Sequence, residues 1–321
     1  MYEQITRNKR LSVVYTIVFF VFWAAMGALA GLLIMLFTGR PERSAAATVD
    51  AAATGSAAIG GGVVAAVLAL GAVAFVLTTG PRAVLALSGA RPAEANRDAQ
   101  VINLVEALAL GSGLPAPTVH IIDDPAPNAF ATGTSPKNAA VTVTTGLLAL
   151  LNREELEGVL AHEISHIRNF DVRLILIVTT LIGLAGMVST IAFRSAFFAR
   201  GGRNQQQMAI VIIVIGALTG LFAVLLGPLV KMALSRNRES LADVSAVDLT
   251  RNPSGLMRAL QKLEANAVPM ARSNSAVNAM CINDPQGRVP EQRRSWLSRL
   301  YDSHPPMAER IRVLERLQLG Q

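Results

Sequence analysis

The sequence predicts a mainly α membrane protein, with four transmembrane helices and an α+β domain that holds a small β-sheet. Three observations carry this. Four stretches, 11–37, 57–79, 174–193 and 208–230, contain no Asp, Glu, Lys or Arg. Each reaches the roughly 20 apolar residues that a helix needs to span a hydrocarbon core of about 30 Å. Only 16% of the 321 residues are charged and 52% are hydrophobic, whereas an ordinary soluble domain is about 25% charged. The charged residues all fall outside the four stretches, where the composition is that of ordinary globular material. This excludes a soluble globular protein and a disordered chain. A disulfide scaffold is excluded too, because Cys281 is the single cysteine. Open strands are no alternative in lipid, because their edges leave backbone groups unpaired.

The elements follow in order. Residues 1–10 form a basic tail with Arg7, Lys9 and Arg10. The first span, 11–37, contains the small-residue run Ala28-Leu29-Ala30, as a cleavable signal does. Its apolar run continues through Leu32–Phe37, beyond the roughly 7–15 residues of a signal core, so it reads as an uncleaved anchor. An external loop, 38–56, leads to the second span, 57–79. Segment 80–173 is the first half of the soluble domain. Two further apolar stretches, 174–193 and 208–230, cross the bilayer or dip into it, and loop 194–207 joins them. Segment 231–321 completes the domain.

Within the first half, Asp98–Leu110 reads as an amphipathic helix and Thr118–Ile122 as a short strand. Ala139–Thr144 is β-branched and alternating, which marks a second strand. Asn152 with Glu155 three residues on is a capping-box start for the next helix. Stretch 265–299, rich in Pro, Asn and Ser, reads as a loop, with a lid as its functional alternative.

The net charge of +7 raises the question of nucleic acid. The basic residues cluster beside the apolar spans instead, as contacts to anionic lipid and as topology signals. No nucleic-acid-binding motif is present. Positive residues in the tail, and Arg82, Arg91 and Arg97 after the second span, favour tail and central segment on the cytoplasmic side. Loop 194–207 carries Arg194, Arg200 and Arg203 and spoils a simple charge pattern.

The capped helix contains His162-Glu163-Ile164-Ser165-His166. A spacing of four residues puts both imidazoles on one helix face, where they can bind one zinc. Glu163 lies about 100° round the helix. It can reach a water on the metal without being a ligand, and take its proton as the water attacks a carbonyl. A catalytic zinc needs a third protein ligand. After the fourth apolar stretch, Glu239 and Asp243 are again four apart. One can bind the metal and the other can orient a ligand histidine through its second ring N–H. His166 precedes the third apolar stretch about as closely as Glu239 follows the fourth. If both helices run on unbroken, each ligand stands about 12–14 Å above the apolar boundary at 1.5 Å per residue. The ligands then meet only if 174–230 forms a hairpin.

These residues resemble a known family, the HtpX-type membrane zinc metalloproteases, relatives of the CAAX prenyl proteases. The matching stretches are Pro127–Gly133, Glu154–His166, Arg238–Asp243 and Ser303–Ile311. The resemblance implies a gluzincin-type zinc metalloendopeptidase, with one zinc per chain held by His162, His166 and Glu239. It implies Glu163 as general base, Asp243 as the residue that orients a ligand, and His304 as a contact to the oxyanion of the transition state. It implies action on membrane or misfolded proteins, in quality control and stress response, from the cytoplasmic face of the bacterial inner membrane.

A protease must hold its peptide extended, and a strand edge does this by backbone pairing. Asn128, and Val141 and Thr142 on a strand expected at the sheet edge, are therefore candidates for substrate binding. Arg310, within the last matching stretch, is a fourth. His120 reads as structural. The competing reading is a non-catalytic membrane scaffold or adaptor with a structural zinc, which would need a fourth protein ligand.

Overall fold

A computed structural model of the protein describes residues 2–38, 51–198, 203–272, 275–278, 280–287 and 306–318. The elements are α1 (Tyr2–Thr38), α2 (Ala51–Ser88), β1 (Arg91–Pro92), α3 (Ala99–Gly111), β2 (Thr118–Ile122), β3 (Ala129–Gly133), β4 (Ala139–Thr144), α4 (Thr145–Leu150), α5 (Arg153–Arg168), α6 (Asp171–Phe198), α7 (Arg203–Thr250), α8 (Pro253–Ala265), α9 (Ser275–Asn278) and α10 (Met307–Gln318). Four of them, α1, α2, α6 and α7, are long and apolar enough to cross a membrane. The fold class is the expected one. The helices outrun the apolar stretches, because loss of apolar character marks the membrane boundary and not the helix end. The helix α2 continues through Pro81 to Ser88, and α7 runs on to Thr250.

The chain forms two compact units: Met1–Ser12, Leu77–Thr179 and Pro228–Gln321 in one, Val13–Val76 and Thr180–Gly227 in the other. The described residues of the second unit are all helical. There α1 and α2 approach closely at glycines, since a Cβ on Gly27 would strike the Gly61 carbonyl and one on Gly31 the Ala57 carbonyl. Small residues are what let helices pack where lipid removes the hydrophobic drive for association. Helices α6 and α7 pair in the same unit, with Ser189 Oγ donating to the Gly216 carbonyl at 2.7 Å.

The first unit holds a four-stranded sheet in the order β1-β2-β4-β3. Strand β2 runs parallel to β4, and β3 is antiparallel to β4. Leu104, Val105, Val141, Val143, Leu160 and Leu260 are among the residues of a shared core between the sheet and helices α3, α5 and α8. The helix α5 begins with the expected capping box. Asn152 accepts from the Glu155 amide at 3.0 Å, and Glu155 accepts from the Asn152 amide at 2.9 Å. It is buried on nearly all faces, from Glu155 to Ile167. At Gly158 it comes so close to α8 that a Cβ would lie 2.7 Å from the Leu256 amide nitrogen.

Two expectations need correction. Strand β4 is not an edge: it is hydrogen-bonded to β2 on one side and β3 on the other. Val141 and Thr142 are fully buried inside the sheet, so neither offers backbone to a peptide. The alternation that marked the strand reports pleating, and pleating does not distinguish an edge from a centre. The helix carrying His166 also does not run unbroken into the third apolar stretch. It ends at Arg168, and Phe170 takes a φ of 60° before α6 begins at Asp171.

Candidate metal centre

Helix α5 supplies His162, Glu163 and His166, and α7 supplies Glu239 and Asp243. All five are buried. Nε2 of His162 and Nε2 of His166 lie 3.1 Å apart. The Glu239 carboxylate straddles them, with Oε2 at 3.5 Å from His162 Nε2 and Oε1 at 3.5 Å from His166 Nε2. Among the described residues this trio is the one group of His, Cys, Asp or Glu that converges closely enough to hold a metal ion.

The other ring nitrogens are taken. His162 Nδ1 lies 2.9 Å from Asp243 Oδ1. His166 Nδ1 lies 3.0 Å from Asp171 Oδ2. A carboxylate only accepts, so each Nδ1 carries the proton, and that assigns the tautomer. Both Nε2 atoms then present lone pairs to one another at 3.1 Å. Two lone pairs at that distance repel unless a cation is shared between them. Four-coordinate zinc with bonds of about 2.0–2.1 Å spaces its ligand atoms about 3.3–3.4 Å apart. The observed 3.1, 3.5 and 3.5 Å edges bracket that spacing. The donor set fits such an ion.

The electrostatics agree. Burial disfavours the charged imidazole of His162, and so does Arg310. Hydrogen bonds to Asp243 and Glu239 outweigh both and push it up to about 9. Burial likewise opposes the charged His166, and its bond to Asp171 outweighs that. The carboxylates therefore favour a cation at the Nε2 atoms, a proton or a metal ion that takes its place.

Asp171 was not singled out from the sequence. It stands five residues after His166, which on a continuous helix is about 140° away from it. The turn at Phe170 brings it back. Its sequence signal is slight: the single acid of a helix that is apolar apart from it, Arg173 and Arg194.

Arg310 comes in from α10. Its Nε donates to Asp243 Oδ2 at 2.9 Å and its Nη2 to Asp243 Oδ1 at 2.6 Å. Its Nη1 lies 3.6 Å from Glu239 Oε2. Nη2 is also 3.3 Å from both ring nitrogens of His162. Such equal distances put it across the ring, not on a lone pair. At 1% exposure this guanidinium is committed to the carboxylates around the metal trio, and the expectation of a cation free for substrate is corrected. Asp243 accordingly accepts three donors. Burial raises its carboxyl pKa, and the Arg310 charge and hydrogen bonds pull it below the usual range.

Asn128 is also turned inward. Its Nδ2 donates to the Asn283 carbonyl at 3.1 Å, and its Oδ1 accepts from the Asn283 amide at 3.2 Å. The amide ties the start of β3 to the segment before residue 287 and is not presented to a ligand. Ile282 N donates to the Ala129 carbonyl at 2.9 Å, along the outer edge of β3. Cys281 is buried, and burial followed by the charges of Glu163 and Asp284 pushes its thiol up. His304 lies outside the described residues.

A family model described as peptidase family M48 matches residues 95–318. The chain belongs to peptidase family M48. It is similar over almost its whole length to proteins called "Protease HtpX homolog". The one from Streptococcus mutans is 39% identical over 99% of this chain and 100% of the relative. Those from Limosilactobacillus reuteri and Listeria monocytogenes are 38% and 35% identical over the same shares. The solved structure of S. mikatae Ste24p is similar at a TM-score of 0.49 and 20% identity, covering 78% of this chain and 57% of that one. Family M48 membership and four apolar helices make the protein a membrane metalloprotease.

Proposed function

We propose that the protein is a zinc-dependent endopeptidase that cuts misfolded or membrane proteins at the cytoplasmic face of the bacterial membrane. One observation carries the metal reading: the facing Nε2 atoms of His162 and His166, each with its Nδ1 bound to a carboxylate and Glu239 straddling both. When bound there, zinc polarises a peptide carbonyl and lowers the pKa of a water to about 7.

The protein groups do the rest. Glu163 sits one residue after His162, buried and outside the ligand trio. It takes the proton of the attacking water and hands it to the departing amine, the usual double duty of a general base. Asp243 and Asp171 fix the two imidazoles so that Nε2 faces the ion. Arg310 holds Asp243 ionised and in place. His304 precedes Arg310 closely in the chain, and in this reading donates to the carbonyl oxygen as it gains charge. The peptide pairs with β3, the edge strand that packs beside α5. Since the Ala129 carbonyl points outward from β4, the antiparallel alternation aims the backbone groups of Ala131 the same way.

The cytoplasmic placement is supported by the basic tail. Asn8, between Arg7 and Lys9, is hydrogen-bonded to Asp171 beside the trio. That contact supports a site near the positive end of α1, the end that the charge rule assigns to the cytoplasm. A purely structural zinc would need a fourth protein ligand, and the group found among the described residues has three members.

The test is detergent-purified, full-length protein incubated with an unfolded membrane protein. Cleavage is expected, lost on chelation and restored by zinc. Cleavage indifferent to the chelator would refute the reading.

A further inference from the structure

The N-terminal part of the first membrane helix touches the catalytic domain at the corner between α5 and α6. Asn8 is completely buried there. Its Nδ2 donates to the Asn169 carbonyl at 2.8 Å and to Asp171 Oδ1 at 2.6 Å. The other oxygen of that carboxylate is the one held by His166 Nδ1, at 3.0 Å. The next residue, Lys9, lies over the Phe170 ring, with Nζ 4.4 Å from the centroid. Ser12 Oγ donates to the Asn8 carbonyl at 2.9 Å and ties the turn together.

We infer that Asn8 is a positioning residue for the metal ligand His166, acting through Asp171, so that the start of the first membrane helix is a working part of the metal site. The inference rests on the metal reading above. The corner explains why such a part is needed. Phe170 has a φ of 60°, a backbone region that a bulky side chain rarely occupies. That turn alone brings Asp171 back beneath His166. Asn8 grips the corner on both sides of Phe170, at the Asn169 carbonyl and at the Asp171 carboxylate, and Lys9 covers the ring between them. Arg238 Nε also approaches Asp171 Oδ1, at 3.5 Å. It is longer and more distant than the amide.

A carboxylate bound to a ligand's second nitrogen fixes the ring and raises its basicity. Loss of such partners typically costs 10–100-fold in metal affinity. Asn8 acts one bond further out. Its truncation is therefore expected at the lower end of that range, about tenfold.

The experiment is a zinc titration of full-length protein in detergent against a competing chromophoric chelator. Asn8→Ala is expected to bind zinc about tenfold more weakly, and Asp171→Asn about 10–100-fold more weakly. The double variant should match Asp171→Asn alone, because Asn8 acts through that carboxylate. Unchanged affinity in Asn8→Ala, or effects that multiply in the double variant, would overturn the inference. The exchange of groups, Asn8→Asp with Asp171→Asn, guards against loss of fold. It restores a hydrogen bond across the corner while taking the carboxylate off His166. Thermal stability should return and zinc affinity stay low. Recovery of both would reduce Asn8 to a packing residue and refute its role. His166→Ala tests the underlying reading separately: if it binds zinc as the parent does, the metal site itself is wrong, whatever Asn8 shows.

Discussion

Removing the guanidinium of Arg310 is the perturbation with the largest consequence that can be worked from the geometry. Asp243 is wholly buried and accepts three donors, two from Arg310 at 2.9 and 2.6 Å and one from His162 at 2.9 Å. Arg310→Met keeps the volume of the side chain and takes two of the three away. Breaking one side of a buried ion pair costs about 3–5 kcal/mol, because the other charge is left without compensation. At roughly 2–4 °C per kcal/mol for a domain of this size, the melting temperature in detergent should fall by about 6–20 °C. The second variant gives the reasoning its sharp edge. Adding Asp243→Leu removes the stranded carboxylate, and apolar replacement of a buried pair is commonly neutral or stabilising. The double variant should regain most of the lost melting temperature. It should still bind zinc poorly, because His162 has lost the acceptor on Nδ1. Stability and metal affinity then part company. If the double variant melts no higher than Arg310→Met alone, the pair is not the isolated unit described here.

Three further outcomes follow from the same geometry. Gly158→Ala should lower the melting temperature by an amount equivalent to about 1–3 kcal/mol, although alanine is the better helix former by about 1 kcal/mol, because its Cβ meets the backbone of Leu256; an unchanged or raised value would contradict the close approach of α5 and α8. Acid should destabilise the protein through Glu155 and Asp98. Burial pushes Glu155 up, but Lys262 at 2.7 Å and the Asn152 amide hold it below its usual 4.5, and Arg91 holds Asp98 below 3.8. A carboxyl depressed by folding stabilises above its unfolded pKa and loses that contribution as pH falls through the folded value. Melting temperature should fall as pH drops below about 5, less steeply in Glu155→Gln; a flat acid limb in the parent protein would refute this. Gly27→Leu should separate α1 from α2, seen as faster proteolysis of the N-terminal helices, and unaltered proteolysis would contradict their close packing.

Much of this molecule was legible before its structure. Charge-free runs locate membrane helices because lipid excludes charge. The His162-Glu163-x-x-His166 spacing reads as a metal face because the helix period is fixed. The Asn152–Glu155 pair gave the start of α5 for an equally local reason. What escaped is non-local. Nothing in Ala139–Thr144 says how many neighbours a strand has, so β4 read as an edge while β3 holds that place. Nothing near Asp171 says that Phe170 will turn left-handed and carry the carboxylate back to His166. Arg310 read as a cation for substrate, since a sequence does not say whether a charge will be met by a ligand or by a buried aspartate from another helix. The link from Asn8 to Asp171 spans half the chain, and its residue type alone, one Asn in a basic tail, carries no signal of it.

The central claim is that α5 brings a metal and a general base to the same point through adjacent residues. The measurement that tests it most directly is zinc content and peptide cleavage in full-length Glu163→Gln beside the parent protein. The amide keeps the shape of the side chain and cannot take a proton from water. The account predicts about one zinc per chain in both proteins and cleavage only in the parent. Cleavage at the parent rate by Glu163→Gln would contradict it.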